Sequence, residues 1–251
     1  MGDLTPVFSY FLRLIWYDLF VISYQQKQTQ LFNKIESSFK KGESISTIVE
    51  PVNNYINDSR ICLTAVAFLP KDLQEVVRLK VTEYLKTADQ SQYYYLPQSL
   101  HLTIQNIRTI QNPPLFNPED IEKVKMVFRK IIPKYHSFSF EIKDIFELPT
   151  SLSLRAYCNE TLGDLALELR KSLKGIGVAD NKTYASGDIV FGNITVCRYT
   201  KNPNTSFFKI VKKLKNIEIG KMNVSTASLI TTNSVCYPDK TIIHETFNLQ
   251  R

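Results

Sequence analysis

The stretch Gly192–Arg198, GNITVCR, decides how the rest of the chain is read. Beside LHLTI (100–104) it repeats a pattern of polar residue, apolar residue and threonine: His101-Leu102-Thr103 in one copy, Asn193-Ile194-Thr195 in the other. Alternate side chains of a strand share a face, so His101 projects with Thr103 and Asn193 with Thr195. The two copies stand about ninety positions apart, and each closes the same succession of elements. Ahead of the first, CLTAVAFL (62–69) reads as a strand. A helix from Lys71 to about Lys86 follows, with an inward stripe of Leu73, Val76, Val77, Tyr84 and Leu85, and then a polar loop. Ahead of the second, LSLRAYC (152–158) reads as a strand. A helix carrying Leu162, Leu165, Ala166, Leu169 and Leu173 and a loop containing Gly and Asn follow it.

The connecting segments complete the pattern. Asn117 caps a helix that opens with Pro118, Glu119 and Asp120, shows Ile121, Val124, Phe128 and Ile131 on one face and stops at Pro133. FSFEIKDIFEL (138–148) alternates as a strand should. Beyond the second motif come a helix around 207–214, a strand at 222–229 and a last strand at 240–249. The repeat predicts two similar lobes facing each other across a cleft, an α+β class with mainly antiparallel sheets. A polar, Asn-rich break with Gly42 and Pro51 around 40–60 sets residues 1–58 apart as a helical extension, with the main domain at 59–251.

Composition narrows the function only a little. A net charge of +7 is compatible with an anionic partner, but the densest basic run, KIVKKLK (209–215), reads as the solvated face of an amphipathic helix. Cys62, Cys158, Cys197 and Cys236 show no paired spacing and read as buried small apolar residues in a reducing compartment. The apolar run at 6–24 is interrupted by Arg13 and Asp18 and lacks the basic start of a secretory signal. It reads as a helix packed on the protein or on a second subunit, with attachment to a membrane surface as the alternative, and the location expected is cytoplasmic. No Gly-rich phosphate loop and no metal-ligand cluster is apparent, so neither a cofactor nor a metal is expected.

A histidine beside a hydroxyl on a strand can move a proton near neutral pH while the hydroxyl donates to a phosphoryl oxygen. Two such pairs facing one another hold a phosphodiester between a general base and a general acid. The succession of elements from about 60 to 249, with LHLTI and GNITVCR in the motif places, resembles the 2H phosphoesterase superfamily. That superfamily includes RNA 2',3'-cyclic phosphodiesterases and the so-called 2'-5' RNA ligases. The resemblance implies a bilobal fold with helices outside two sheets, and a metal-independent phosphodiesterase acting on a 2',3'-cyclic phosphate or a 2'-5' linkage. It assigns His101 to proton transfer and the Thr103 and Thr195 hydroxyls to phosphate binding. The second family motif often continues as His-x-Thr-Leu-x-Arg. Val196, Cys197 and Arg198 fill that continuation here, and Arg198 would balance charge in the cleft. Asn193 departs from the family's histidine, since its amide can donate a hydrogen bond but cannot carry a proton. Three outcomes stay open: an enzyme of impaired activity, an enzyme that recruits another group in place of the histidine, or a binding module that holds a nucleotide or RNA terminus through Thr103, Asn193, Thr195 and Arg198. DNA is not expected as a partner. His136 reads as structural, and His244, in a strand that does not face the cleft, as a weak substitute for the missing histidine. The tyrosines at 93–95 read as a packed strand edge, with base stacking the alternative.

Overall fold

The computed structural model describes residues 22–251. The apolar run at 6–24 lies almost wholly outside the described residues, and with it the expected contact of that helix with a membrane or a second subunit. Helix α1 (Tyr24–Lys40) starts at a capping box in which Ser23 and Gln26 each accept from the other's backbone N–H. An extended segment leads from it to β1 (Ile61–Phe68). Next come α2 (Lys71–Val77) and α3 (Glu83–Ala88), joined by a π-helical turn at Arg78–Thr82, then the short β2 (Tyr93–Tyr94) and β3 (His101–Gln111). The second half runs α4 (Pro118–Ile131), β4 (Phe138–Leu148), β5 (Ser151–Tyr157), α5 (Glu160–Gly175), β6 (Gly192–Arg198), α6 (Thr205–Lys213), β7 (Glu218–Val224), β8 (Thr226–Thr232) and β9 (Ile242–Asn248).

Two antiparallel sheets result, ordered β3-β1-β8-β9 and β2-β6-β5-β4-β7. The internal repeat is visible in this order: β1, helix and β3 form one unit of adjacent strands, and β5, α5 and β6 form the other. The α+β class with two antiparallel sheets therefore stands as expected. Two details differ. The stretch read as one strand at 222–229 is two, β7 and β8, because at Ser225 the chain leaves one sheet and enters the other. Tyr84, expected inside, is 56% exposed. The wide turn at Arg78–Thr82 slows the helix's rotation, so that Val77, Val81 and Leu85 fall on one buried line and Tyr84 turns outward.

Gly192 brings the two motif strands together. A Cβ at this position would sit 2.6 Å from Phe140 Cε1, 2.7 Å from Leu102 Cδ2 and 3.1 Å from the Ala156 Cβ. The missing side chain thus lets β6 lie against β3, with Leu102 packed into the gap and His101 and Thr103 turned away from it. Residues 22–60 pack on this frame. Phe32 of α1 meets Phe191, Phe146 and Tyr157 with ring centroids 4.3, 4.9 and 5.5 Å apart. Beside them the buried Arg155 donates to Glu36 at 2.9 Å, to Asn33 at 3.2 Å and to the Ile145 carbonyl at 3.1 Å. Farther on, Tyr55 is buried and its hydroxyl donates to the Tyr199 carbonyl at 2.9 Å.

Two substitutions test this packing. Gly192→Ala is expected to lower stability by about 1–3 kcal/mol in urea unfolding, through overpacking against Phe140 and Leu102. Glu36→Ala strands the Arg155 charge and should cost on the order of 3 kcal/mol, with α1 becoming open to limited proteolysis; an unchanged midpoint would show that α1 docks without this pair.

Candidate active site

Between the sheets lies a cleft of about 450 Å³, and His101, Thr103, Asn193, Thr195 and Arg198 all line it. The alternation of β3 and β6 explains why. Leu102 and Ile104 on one strand and Ile194 and Val196 on the other are buried, which leaves the motif residues half-buried on the opposite faces. The site residues expected from the sequence are thus brought to one place.

His101 is held on two sides. Its Nδ1 donates to the Ser99 carbonyl at 2.7 Å, since a carbonyl can only accept, and this leaves Nε2 for the cleft. There the imidazole meets the Cys236 thiol. Cys236 sits in the left-handed region with φ 51°, a conformation rare outside glycine, and Asn233 holds it there. The Asn233 carbonyl accepts from the Cys236 N–H, while its side chain accepts from the N–H groups of Val235 and Tyr237. Ser99 completes the clamp by donating its hydroxyl to the Cys236 carbonyl at 2.7 Å.

Charge on the pair follows from this contact. Burial disfavours the imidazolium, but the thiol's negative form, its hydrogen bond and the Ser99 carbonyl outweigh burial and raise the His101 pKa. Burial likewise opposes the thiolate, yet His101 and the hydrogen bonds around Cys236 bring its pKa below the ordinary thiol range.

Across the cleft the Asn193 amide donates to Ser153 Oγ at 3.4 Å, and Ser153 Oγ in turn meets Thr195 Oγ1 at 3.2 Å. Arg198 Nε donates to the Ser234 carbonyl at 2.9 Å and to the Tyr95 hydroxyl at 3.2 Å, which fixes the guanidinium in the wall. Tyr95, the last of the tyrosine run, lines the cleft with its ring centroid 6.4 Å from that of His101. Tyr93 and Tyr94 pair along β6 as a packed edge. The other histidines stand elsewhere. His136 is exposed near the Arg251 carbonyl, and His244 Nε2 faces Thr231 Oγ1 at 3.1 Å outside the cleft lining. Neither takes the place left by Asn193. Among the described residues no group of three His, Cys, Asp or Glu side chains is placed to hold a metal ion.

No family model matches the chain. An RNA 2',3'-cyclic phosphodiesterase of Methanothermobacter thermautotrophicus is 25% identical over 173 residues, which span 65% of this chain and 87% of that protein. Among solved structures, TT0787 of Thermus thermophilus superposes with a TM-score of 0.56 at 16% identity, over 76% of this chain and 98% of its own. E. coli LigT, in a crystal with 3'-AMP, does so with a TM-score of 0.52 at 14% identity, over 77% of this chain and 100% of its own. The chain is related to the 2H phosphoesterases and shares their fold.

Within the 2H fold, several cleft residues are not visible in the motif pattern. Ser153 is one strand away from Asn193 and carries no motif of its own. Cys236 reaches His101 from a turn after β8, and in the sequence its thiol reads only as a small apolar group. Lys182, Tyr184 and Arg170 come from the loop before β6 and from α5, and of the three only Tyr184 is signalled by its closeness to the second motif.

The thiol contact is testable by titration. Cys236→Ala removes the main influence holding the His101 pKa up and leaves burial and the Arg198 charge to pull it down. The imidazole resonances should therefore titrate at lower pH in the variant; an unmoved midpoint would show that thiol and imidazole do not interact.

Proposed function

We propose that this chain is a metal-independent phosphodiesterase of 2H type that opens a 2',3'-cyclic phosphate at a nucleotide or RNA end, working with one proton-transfer residue where the family has two. The observation that carries the reading is the placement of His101 and Thr103 opposite Asn193, Thr195 and Arg198 in one cleft. The archaeal relative's name as an RNA 2',3'-cyclic phosphodiesterase and the crystals of E. coli LigT with 3'-AMP and with phosphate support the same ligand class.

The chemistry is a hydrolysis. Water adds to phosphorus, one bond from phosphorus to a ribose oxygen breaks, and that oxygen leaves as a hydroxyl. A raised pKa favours the protonated form of His101, which suits it to give the leaving oxygen its proton. The Thr103 and Thr195 hydroxyls and the Asn193 amide donate to the non-bridging oxygens as negative charge gathers on them, and Arg198 offsets that charge. On the Asn193 side no imidazole stands ready to take a proton from the attacking water, which passes it to solvent. Loss of one such group costs about 10²–10⁴ in rate. The reading is therefore of a slow enzyme whose phosphate-binding set is otherwise present.

Hydrolysis of 2',3'-cyclic nucleotides and of a short RNA ending in a cyclic phosphate tests this. The chain should turn over slowly, His101→Ala should abolish turnover, and Asn193→His should raise it by about 10²–10⁴-fold. A chain that binds the product phosphate yet turns over only as Asn193→His would instead be a binding module on the same fold.

A further inference from the structure

Resting on the phosphodiesterase reading, we infer that Lys182 and Arg170 form a second anion subsite in the cleft, which takes a phosphodiester further along the same strand, so that the ligand is an oligoribonucleotide end rather than a mononucleotide. The cleft is lined by Arg60, Arg170, Lys182 and Arg198 against a single carboxylate among its lining residues, Glu50. Arg60 is committed to Asp58 at 2.9 Å. Among the described residues, no carboxylate lies in ion-pair contact with Arg170, Lys182 or Arg198.

Both cations of the inferred subsite are built in rather than loosely placed. The Arg170 guanidinium lies over the Tyr184 ring, 3.6 Å from its centroid, with Nε donating to Gln105 at 3.2 Å. Lys182 Nζ stands 5.6 Å from the centroid of the same ring. The loop that carries Lys182 is stitched to β3 and to the segment after α1. The Thr109 N–H donates to the Asn181 side chain at 2.8 Å, and the Thr183 N–H donates to Thr47 Oγ1 at 2.8 Å. Asp180, the nearby acid, is held by neutral donors, keeps its charge and offsets part of that of Lys182. It accepts from Gln105 Nε2 at 2.7 Å, from Asn106 Nδ2 at 2.8 Å, from the Lys182 N–H at 2.8 Å and from the Tyr184 hydroxyl.

Asp180 offsets only part of this charge: Arg170 and Arg198 still act against Lys182 in a partly desolvated cleft, and a bound anion lowers that cost. One phosphate does not serve all three. Arg198 is anchored beside Tyr95 and Ser234, whereas Arg170 is anchored at Gln105, four residues along β3 from His101, or roughly 13 Å at strand rise. The Gln105 end of the cleft is thus set apart from the phosphate held at His101, and an anion bound there is a different phosphate of the same strand. Tyr184, with both cations set against its ring, holds them in register.

The test is binding of adenosine 3'-monophosphate and of the di- and trinucleotides ending in a 3'-phosphate, measured by calorimetry on the full chain at several salt concentrations. The longer ligands should bind roughly tenfold to a hundredfold more tightly than the mononucleotide and with a steeper salt dependence. Lys182→Gln should remove most of that gain while leaving mononucleotide affinity unchanged, and Lys182→Arg should retain it. Equal affinity for all three ligands, or an equal loss for all three in Lys182→Gln, would overturn the second subsite alone. If neither the parent chain nor Asn193→His binds any of the three, the phosphodiesterase reading fails and this inference fails with it.

Discussion

The close approach of β3 and β6 at Gly192 is the constraint on which the cleft depends. The two strands belong to different sheets, so no ladder of backbone hydrogen bonds sets their spacing. What sets it is the absence of a side chain at one position and the fit of Leu102, Phe140 and Ala156 into the space left. From that contact the alternation of each strand carries His101 and Thr103 to one wall and Asn193 and Thr195 to the other. A shift of either strand by one residue would bury the polar set and expose the apolar one. The chemistry is thus positioned by packing behind the cleft rather than by contacts within it.

Charge in the cleft is arranged on a different principle. Two cations have a carboxylate partner: Arg155 has Glu36, and Arg60, which lines the cleft, has Asp58. Two other cations of the cleft are instead held by neutral groups, Arg198 by a carbonyl and a phenol, Arg170 by an amide and an aromatic ring. Neutral anchors fix position without cancelling charge, which leaves the field of each guanidinium directed at the cleft. The same contrast appears at His101, whose carbonyl partner orients the ring while the Cys236 thiol acts on its charge.

The parts of this structure that are legible in the sequence are those written in short, local patterns. Strand alternation at 138–148, the Asn117 cap with Pro118, and the two copies of the polar-apolar-threonine motif each lie within a few residues, and their consequences are geometric. Residues whose roles depend on distant partners are not legible. Cys236 looks like any small core residue until a left-handed turn points it at a histidine 135 positions earlier. Lys182 sits in a loop whose sequence says nothing of Thr47 or Thr109, to which that loop is tied. Tyr84 falls on the wrong face in the sequence reading because a single wide turn changes the helical phase, and periodicity assumes that the phase is constant. Nor does the composition that sets off residues 1–58 say where they dock: Phe32 and Glu36 of α1, and Tyr55 beyond it, contact the second lobe.

The order in which the chain is made bears on that packing. The docking partners of α1 lie between Phe146 and Phe191, so Tyr24 waits for Val190, 166 positions later, before its hydroxyl has an acceptor. At about 5–20 residues per second, synthesis separates the two by roughly 10–30 s. Throughout that interval Leu31, Phe32 and Ile35 have no finished surface to cover. The first helix of the described chain to emerge is thus among the last to be seated, and the newly made polypeptide carries an unpaired apolar face until its second lobe has formed.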